Sequence, residues 1–426
     1  MVAETGRLGG NHRARPGGMR RAGRLRELLV AGVVDSFGMA LGWTILVLLA
    51  TARGGLGEAA LYNAAMLAGV VLSAPVTGWL SRRWAGRTLL RGAAGIEIVL
   101  RVGVLAALIA GLPSVLIAAG VVVMHVAAWA GFAGMRAEVT AVAPGARAMT
   151  RYALCIAAVE AAGTGLAALI PVGRGGHPTG WLLVAVFILY AGSLIPTILS
   201  ARRARVVVAQ ADDMPALSLS GRRLVAGRHA GGRRSIVSPR LLVAGGAIML
   251  LASGPTLLSV PLTTELHGRH WVAGAAIAFS LGCLLATIAV DAIAAMRLPA
   301  VLRWSLWGLA MLTGWIFAPA HAYAVLFAQF SAGLAQTAFE GDMDARVAEE
   351  APRHGVTTAL AYSASTRALG GSLAVKFLPM FVTAQSVDRA VSAGVLALGV
   401  AALLIYAATL VARRALIPPL RQQEDL

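Results

Sequence analysis

The stretch from Leu89 to Leu112, LLRGAAGIEIVLRVGVLAALIAGL, and the one after it from Ser114 to Met135, SVLIAAGVVVMHVAAWAGFAGM, decide the fold. Each supplies the roughly 20 apolar residues that a helix needs to cross a bilayer. In hydrocarbon every backbone N–H and C=O must be satisfied within the segment, so such runs are helices. Working outward, two more runs precede them, Leu28–Ala52 and Ala59–Ser81. Eight follow: Tyr152–Val172, Thr179–Ala201, Leu241–Thr264, Trp271–Met296, Trp304–Ala320, Tyr323–Phe339, Val356–Val382 and Val391–Ala412. The expected fold is an all-α polytopic membrane protein with twelve transmembrane helices in two six-helix bundles.

Composition agrees. Of 426 residues, 58% are hydrophobic and 13% charged, about half the charge of a soluble domain. A globular enzyme is excluded as the main body. The first run is not a secretory leader, because it is about 25 residues long where an apolar leader core has about 7 to 15, and Asp35 interrupts it. The expected layout is a basic cytoplasmic tail at 1–27, a first bundle at 28–201, a basic cytoplasmic loop at 202–240, a second bundle at 241–412 and a cytoplasmic tail at 413–426.

The formal net charge is +18, from 37 basic and 19 acidic residues, and Lys376 is the only lysine. Arginines that punctuate apolar runs are topology signals rather than a nucleic-acid surface. With twelve runs and a cytoplasmic start, 30 of the 36 arginines fall on the cytoplasmic side. Only Arg53, Arg174, Arg269 and Arg389 fall outside, while Arg101 and Arg367 lie within runs. Both termini are therefore expected in the cytoplasm of a cell-membrane protein. Cys155 and Cys283 both sit in apolar runs, so there is no disulfide framework to read.

The connections repeat. Arg136-Ala-Glu138 leads to Ala143-Pro144, then Thr150 and Ala153-Leu154; Arg346-Val-Ala-Glu349-Glu350 leads to Ala351-Pro352, then Thr357 and Ala359-Leu360. The copies are about half the chain apart, as in transporters built from parallel repeats. After the second run the chain reads Gly78-Trp79-Leu80-Ser81-Arg82-Arg83-Trp84-Ala85-Gly86-Arg87. This is similar to the signature loop of the major facilitator superfamily, with Arg82 in place of the usual acidic residue. Gly163-Thr164-Gly165 with Ile170-Pro171-Val172-Gly173 resembles the helix 5 element of that family's drug exporters, and the loop Pro144–Leu154 resembles the one in bacterial exporters. The resemblance covers Leu28 to Ala412 and implies alternating access around a central cavity.

Ionisable residues inside runs are functional until shown otherwise. Asp35 either exchanges protons, as acidic residues in helix 1 of proton-driven exporters do, or packs against a neighbouring Ser or Thr. Glu160 and Arg367 lie at similar depths in the fifth and eleventh runs; on the family's fold they either pair across the pathway or form static buried pairs. Glu97 and Arg101, one turn apart, satisfy each other. Gln329, Gln336 and Glu340 share one helix face and suit substrate contacts. His125, followed one turn later by Trp129, is more often packed than functional. Glu265, His267 and His270 do not have the spacing of a standard metal site. The inner gate is expected between Gly78, Arg82, Arg83 and Arg87 after the second run and Asp342 and Asp344, with Glu349 and Glu350, after the tenth.

The expected function is secondary export of a small apolar or cationic molecule, a drug or secondary metabolite, in exchange for protons. No cofactor, metal or nucleic acid is called for; the partners are substrate, protons and lipid, and the chain acts as a monomer. Sugars are disfavoured because the only asparagines are Asn11 and Asn63, neither expected deep in a helix. A membrane-embedded transferase on lipid-linked substrates would need clustered carboxylates for magnesium, for which only Asp342 with Asp344 and Asp212 with Asp213 offer themselves. A transport-inactive relative serving as sensor or assembly partner is the third reading.

Overall fold

A computed structural model describes residues 16–81, 83–142, 146–173, 176–204, 238–294, 298–350 and 356–381, with 389, 394, 399–403 and 406. Among these the chain is helical, and no strand occurs. The helices are α1 (Pro16–Ser81), α2 (Gly86–Ile109), α3 (Ser114–Val142), α4 (Ala146–Leu169), α5 (Trp181–Gly192), α6 (Ile195–Ala201), α7 (Pro239–Ala252), α8 (Gly254–Leu257), α9 (Ser259–His267), α10 (Trp271–Ala294), α11 (Ala300–Thr313), α12 (Ala322–Glu350) and α13 (Val356–Phe381). Eleven of the twelve expected runs lie on these helices. Most of the twelfth run and of the central loop, residues 1–15, the C-terminal tail, Arg82, Pro144 and Pro352 lie outside the described residues, while 16–27 of the expected N-terminal tail belong to α1.

Several boundaries differ from the hydropathy reading, each for a physical reason. α1 contains the first two runs, folded back at Gly54 and Gly55. Gly55 has φ 63°, a conformation that L side chains avoid. The seventh run breaks into α7, α8 and α9, with Pro255 and Pro261 beside the breaks, where proline removes a helical N–H and crowds the preceding turn. α12 continues eleven residues past the expected Phe339 to Glu350, because hydropathy marks where lipid ends and not where the helix does. Among the described residues, four stretches, 23–77, 86–109, 114–135 and 181–201, are long and apolar enough to cross a membrane by length and composition.

Trp304, Met311, Trp315, Phe339 and Met343 belong to a core in α7–α13 that Leu56, Ala60 and Ala64 of α1 join, whereas Leu46, Tyr62, Val104 and Val121 centre one in α1–α3. Lipid is as apolar as a leucine side chain, so helices associate by close approach rather than by the hydrophobic effect. α10 and α12 show how close: a Cβ at Gly282 would lie 2.1 Å from the Phe330 carbonyl oxygen, and one at Gly333 2.1 Å from that of Phe279. Apolar side chains such as Val115, Trp181, Ile188, Val243 and Ile288 face outward, as lipid requires.

The helices define two ends of the molecule. At one, called here the kink end, lie Gly54–Gly55, the end of α4 and the α9–α10 connection. At the other, the loop end, lie the start of α1, the end of α6, the start of α7 and the charged end of α12.

Candidate functional site

Between the halves lies a cavity of about 410 Å³, walled by α1, α3 and α4 on one side and α8, α9, α10 and α12 on the other. The first-half wall is largely aromatic, with Trp43, Trp129 and Phe132 beside Met39, Met66 and His125. The His125 ring meets Trp43 edge-on, centroids 4.8 Å apart. Its Nδ1 lies 2.9 Å from the Val121 carbonyl oxygen, which can only accept, so Nδ1 carries the proton. Asn63 also lines the cavity, buried, and donates to the Ala59 carbonyl at 2.9 Å. The sequence reading placed it outside a helix core; the fold-back at Gly54–Gly55 puts it two turns into the returning segment.

Glu160 projects from α4 into the wall, the one Asp, Glu, Lys or Arg among the described lining residues. Thr44 donates to Thr164 across α1 and α4 at 3.2 Å. On the opposite wall stand Thr256, Ser259, Ser280, Cys283, Gln329 and Gln336. Gln336 donates to Glu340 at 3.1 Å, one turn deeper on the same α12 face, as the spacing had indicated. Cys283 is within electrostatic reach of both Glu160 and Glu340, so carboxylates from the two halves approach the same thiol.

Asp35 does not line this cavity. Its carboxylate accepts from Arg101 at 2.7 Å, and Arg101 also binds Glu97, the Tyr190 carbonyl at 2.7 Å and the Ser193 hydroxyl at 2.9 Å. Asp35, Glu97 and Arg101 are all buried. The expected Ser or Thr neighbour of Asp35 is therefore an arginine, and the self-sufficient Glu97–Arg101 pair has a third member. Two carboxylates facing one guanidinium leave one negative charge uncompensated, so the cluster is neutral when it holds one proton.

Arg367 does not pair with Glu160 in this arrangement. It donates to Asp344 on α12 at 2.6 Å and to Ser363 at 2.8 Å, since the carboxylate on the adjacent helix of its own half is within reach. Asp342 is bound by Arg303 at 2.7 and 3.0 Å and by the Trp304 indole at 3.0 Å. The two aspartates expected to face Arg83 and Arg87 in an inner gate are thus held by arginines of α11 and α13. Arg83 instead stacks on Trp79, 4.2 Å from the ring centroid, and Gly78 is the helical residue before Trp79. The same engagement tells against Asp342 and Asp344 as a magnesium pair; Asp212 and Asp213 lie outside the described residues.

The residues missed in the sequence lie at the kink end. Arg269 reaches from the α9–α10 connection to the last-turn carbonyls of α4, donating to Ala167 at 2.6 Å and Ala168 at 2.9 Å. These are carbonyls with no helical partner, at the negative end of the helix dipole. Glu265, four residues earlier, accepts from the Leu56 backbone N–H, an orphan donor at the positive end of the returning α1 segment. Burial pushes the Glu265 carboxyl above its ordinary value, and the Leu56 bond opposes this in part. His267 donates to the Ala318 carbonyl at 2.6 Å, and no metal-ligand cluster occurs among the described residues.

The sequence matches no family model and no curated protein. The fold does match solved structures. The nucleoside transporter NupG superposes with a TM-score of 0.63 at 12% identity, over 90% of this chain and 100% of that one. The peptide transporter POT gives 0.61 at 14% over 90% and 94%, and the inward-open xylose transporter XylE from E. coli gives 0.60 at 13% over 91% and 95%. Identity this low establishes architecture alone: the chain has the fold of major facilitator transporters.

Proposed function

We propose that the chain is a secondary active transporter that exports a small apolar or cationic molecule in exchange for protons, by alternating access. The observation that carries this reading is the cavity itself, aromatic on one wall, with Glu160 its charged residue, at the seam between the halves. Aromatic faces and a carboxylate attract lipophilic cations. A proton and a cation competing for one cavity carboxylate give exchange, because each leaves when the other arrives. The charge-odd cluster of Asp35, Glu97 and Arg101 is a second place for a proton, linked to the cavity through α1, which carries both Asp35 and Trp43.

The arginine distribution places the loop end in the cytoplasm. The kink-end contacts between halves then close the outer side, and the cavity faces inward in this arrangement. Alternating access moves the seal from one end to the other.

The test is flux in vesicles containing the purified chain, with an imposed pH gradient and ethidium as cargo. Ethidium accumulation driven by the gradient is expected. Glu160→Gln and Asp35→Asn should each abolish the gradient-driven component while preserving the melting temperature. Gradient-driven flux that persists unchanged in both variants rejects proton exchange at these sites, and an absence of flux in the wild type rejects the exporter reading.

A further inference from the structure

The second-half wall carries polar atoms that have no hydrogen-bond partner among the described residues. The Thr256 hydroxyl, the Nε2 of Gln329 and the Oε1 of Gln336 are buried and have no hydrogen-bond partner, and all three residues line the cavity. Gln329 is only 2% exposed. Buried amides that lack a partner bear the full desolvation of the group, so a position that keeps one open is shaped for something that arrives. The orientation of Gln336 is set from within: its Nε2 donates to Glu340 at 3.1 Å, which leaves Oε1 as an acceptor. Gln329 offers a donor. The two stand seven residues apart on α12, about 10 Å along the axis, a span that two flexible amide side chains can close to the width of a fused-ring system.

The facing wall is different in kind. Trp43, Trp129 and Phe132 offer ring faces; the ring centroids of Trp129 and Phe132 are 6.1 Å apart. A molecule between the walls meets aromatic surface on one side and an open donor and acceptor on the other. We infer that Gln329 and Gln336, with Thr256 beside them, form a hydrogen-bonding subsite, and that the cargo is a planar, conjugated molecule carrying an acceptor and a donor along one edge. This rests on the transporter reading and narrows it, because a cation without polar edge groups would leave all three atoms unpaired. A site that hydrogen-bonds its ligand discriminates sharply against an analogue that lacks the matching groups.

Two cations separate the possibilities. Doxorubicin is planar, with quinone carbonyl acceptors and phenolic donors; tetraphenylphosphonium is neither planar nor able to hydrogen-bond. Equilibrium binding to the purified full chain is read by quenching of tryptophan fluorescence, which requires no transport. The wild type should bind doxorubicin the more tightly. Gln329→Leu and Gln336→Leu should each reduce the ratio of doxorubicin to tetraphenylphosphonium affinity at least tenfold, and the double variant should remove the preference. Gln329→Leu should melt at or above the wild-type temperature, since its Nε2 has no partner to lose, whereas Gln336→Leu also gives up the bond to Glu340. A fall of several degrees in Gln329→Leu would show that this amide has a protein partner and would overturn the subsite. So would an unchanged ratio, which would mean that water satisfies these atoms, and so would a wild type that binds no doxorubicin. Doxorubicin binding with the predicted variant pattern but no pH-driven flux in vesicles would instead sustain the subsite and reject the exporter reading.

Discussion

The kink end and the loop end are built from the same kinds of charged residue, used differently. At the kink end, beside an Arg53–Glu58 pair that stays within the first half, two charges cross between the halves and bind backbone: Arg269 takes two carbonyls at the end of α4, and Glu265 takes the Leu56 N–H. At the loop end the ion pairs described stay within one half. Arg24 binds Glu138 and Arg203 binds Glu27 in the first half; Arg303 binds Asp342 and Arg367 binds Asp344 in the second. A charge that grips another helix's terminus holds two bodies together without needing a partner side chain at a fixed rotamer. A charge that grips a side chain in its own half stiffens that half and leaves it free to move as a unit. On the proposed reading, the difference marks the kink end as the seal and the halves as the moving bodies.

The comparison assumes rigid halves, so its severest test is the residue that locks the first one. Arg101→Leu leaves Asp35 and Glu97 buried without a counter-charge, a loss of about 3–5 kcal/mol. The expected outcome is a collapse in recoverable folded protein, measured by size-exclusion monodispersity, with partial rescue by adding Asp35→Asn and Glu97→Gln. Full yield from Arg101→Leu alone would mean that the cluster does not hold α1, α2 and α5 together.

Breaking the crossing contact comes next. A charged hydrogen bond contributes about 1.5–3 kcal/mol, so Arg269→Ala should shift the two-state equilibrium roughly tenfold or more towards an open kink end. Ala273, which packs against Gly165 across the seam, reports on this when changed to Cys in a background lacking Cys155 and Cys283. Its labelling by a membrane-impermeant maleimide should accelerate in the Arg269→Ala background; equal rates would show that Arg269 is not part of the seal.

A smaller effect comes from Glu265. Its carboxyl sits above its ordinary value of 4.5 when the kink end is closed and returns towards it when solvent reaches it. The closed form therefore binds the proton more tightly: acid favours closure, and closure weakens as pH rises from about 4.5 through the raised value. Other ionisable groups lie at this end, among them Arg53, Glu58, His267, Arg269 and His270, so Glu265→Gln is the control. Labelling at position 273 should rise with pH across that window, and the slope should flatten in Glu265→Gln. A slope of opposite sign would remove Glu265 from the seal.

The smallest expected effect sharpens the other side. Exchanging Arg83→Glu with Asp342→Arg should show no mutual rescue, with a coupling under about 0.5 kcal/mol, because Asp342 is committed to Arg303 and Trp304. Strong rescue of flux would show that the two meet when the loop end closes.

Much of this was legible in the sequence. Apolar runs placed the membrane helices, and three polar residues expected at the pathway, Glu160, Gln329 and Gln336, line one cavity. Helix periodicity carries such information because all of its terms are local. What escaped was non-local or looked ordinary. Asp35 and Arg101 are 66 residues apart, and no spacing rule links them. Arg269 reads as one more loop arginine, since a bond to a backbone carbonyl asks nothing of the partner's identity and leaves no pattern. The partner of Arg367 stayed open between Glu160 and another residue because depth in the membrane was readable, while the identity of the adjacent helix was not.

The order of residues around Arg101 also bears on how the chain enters the membrane. Both of its carboxylates, Asp35 and Glu97, precede it in the chain, whereas its remaining partners, Tyr190 and Ser193, lie 89 and 92 residues later. At about 5–20 residues per second, α5 emerges from the ribosome some 5 to 20 seconds after α2. Throughout that interval the arginine already has counter-charges to enter the bilayer with, so the first three spans can be released to lipid as an electrically provided-for group. The later bonds to α5 then close a site in which the arginine's charge has already been met.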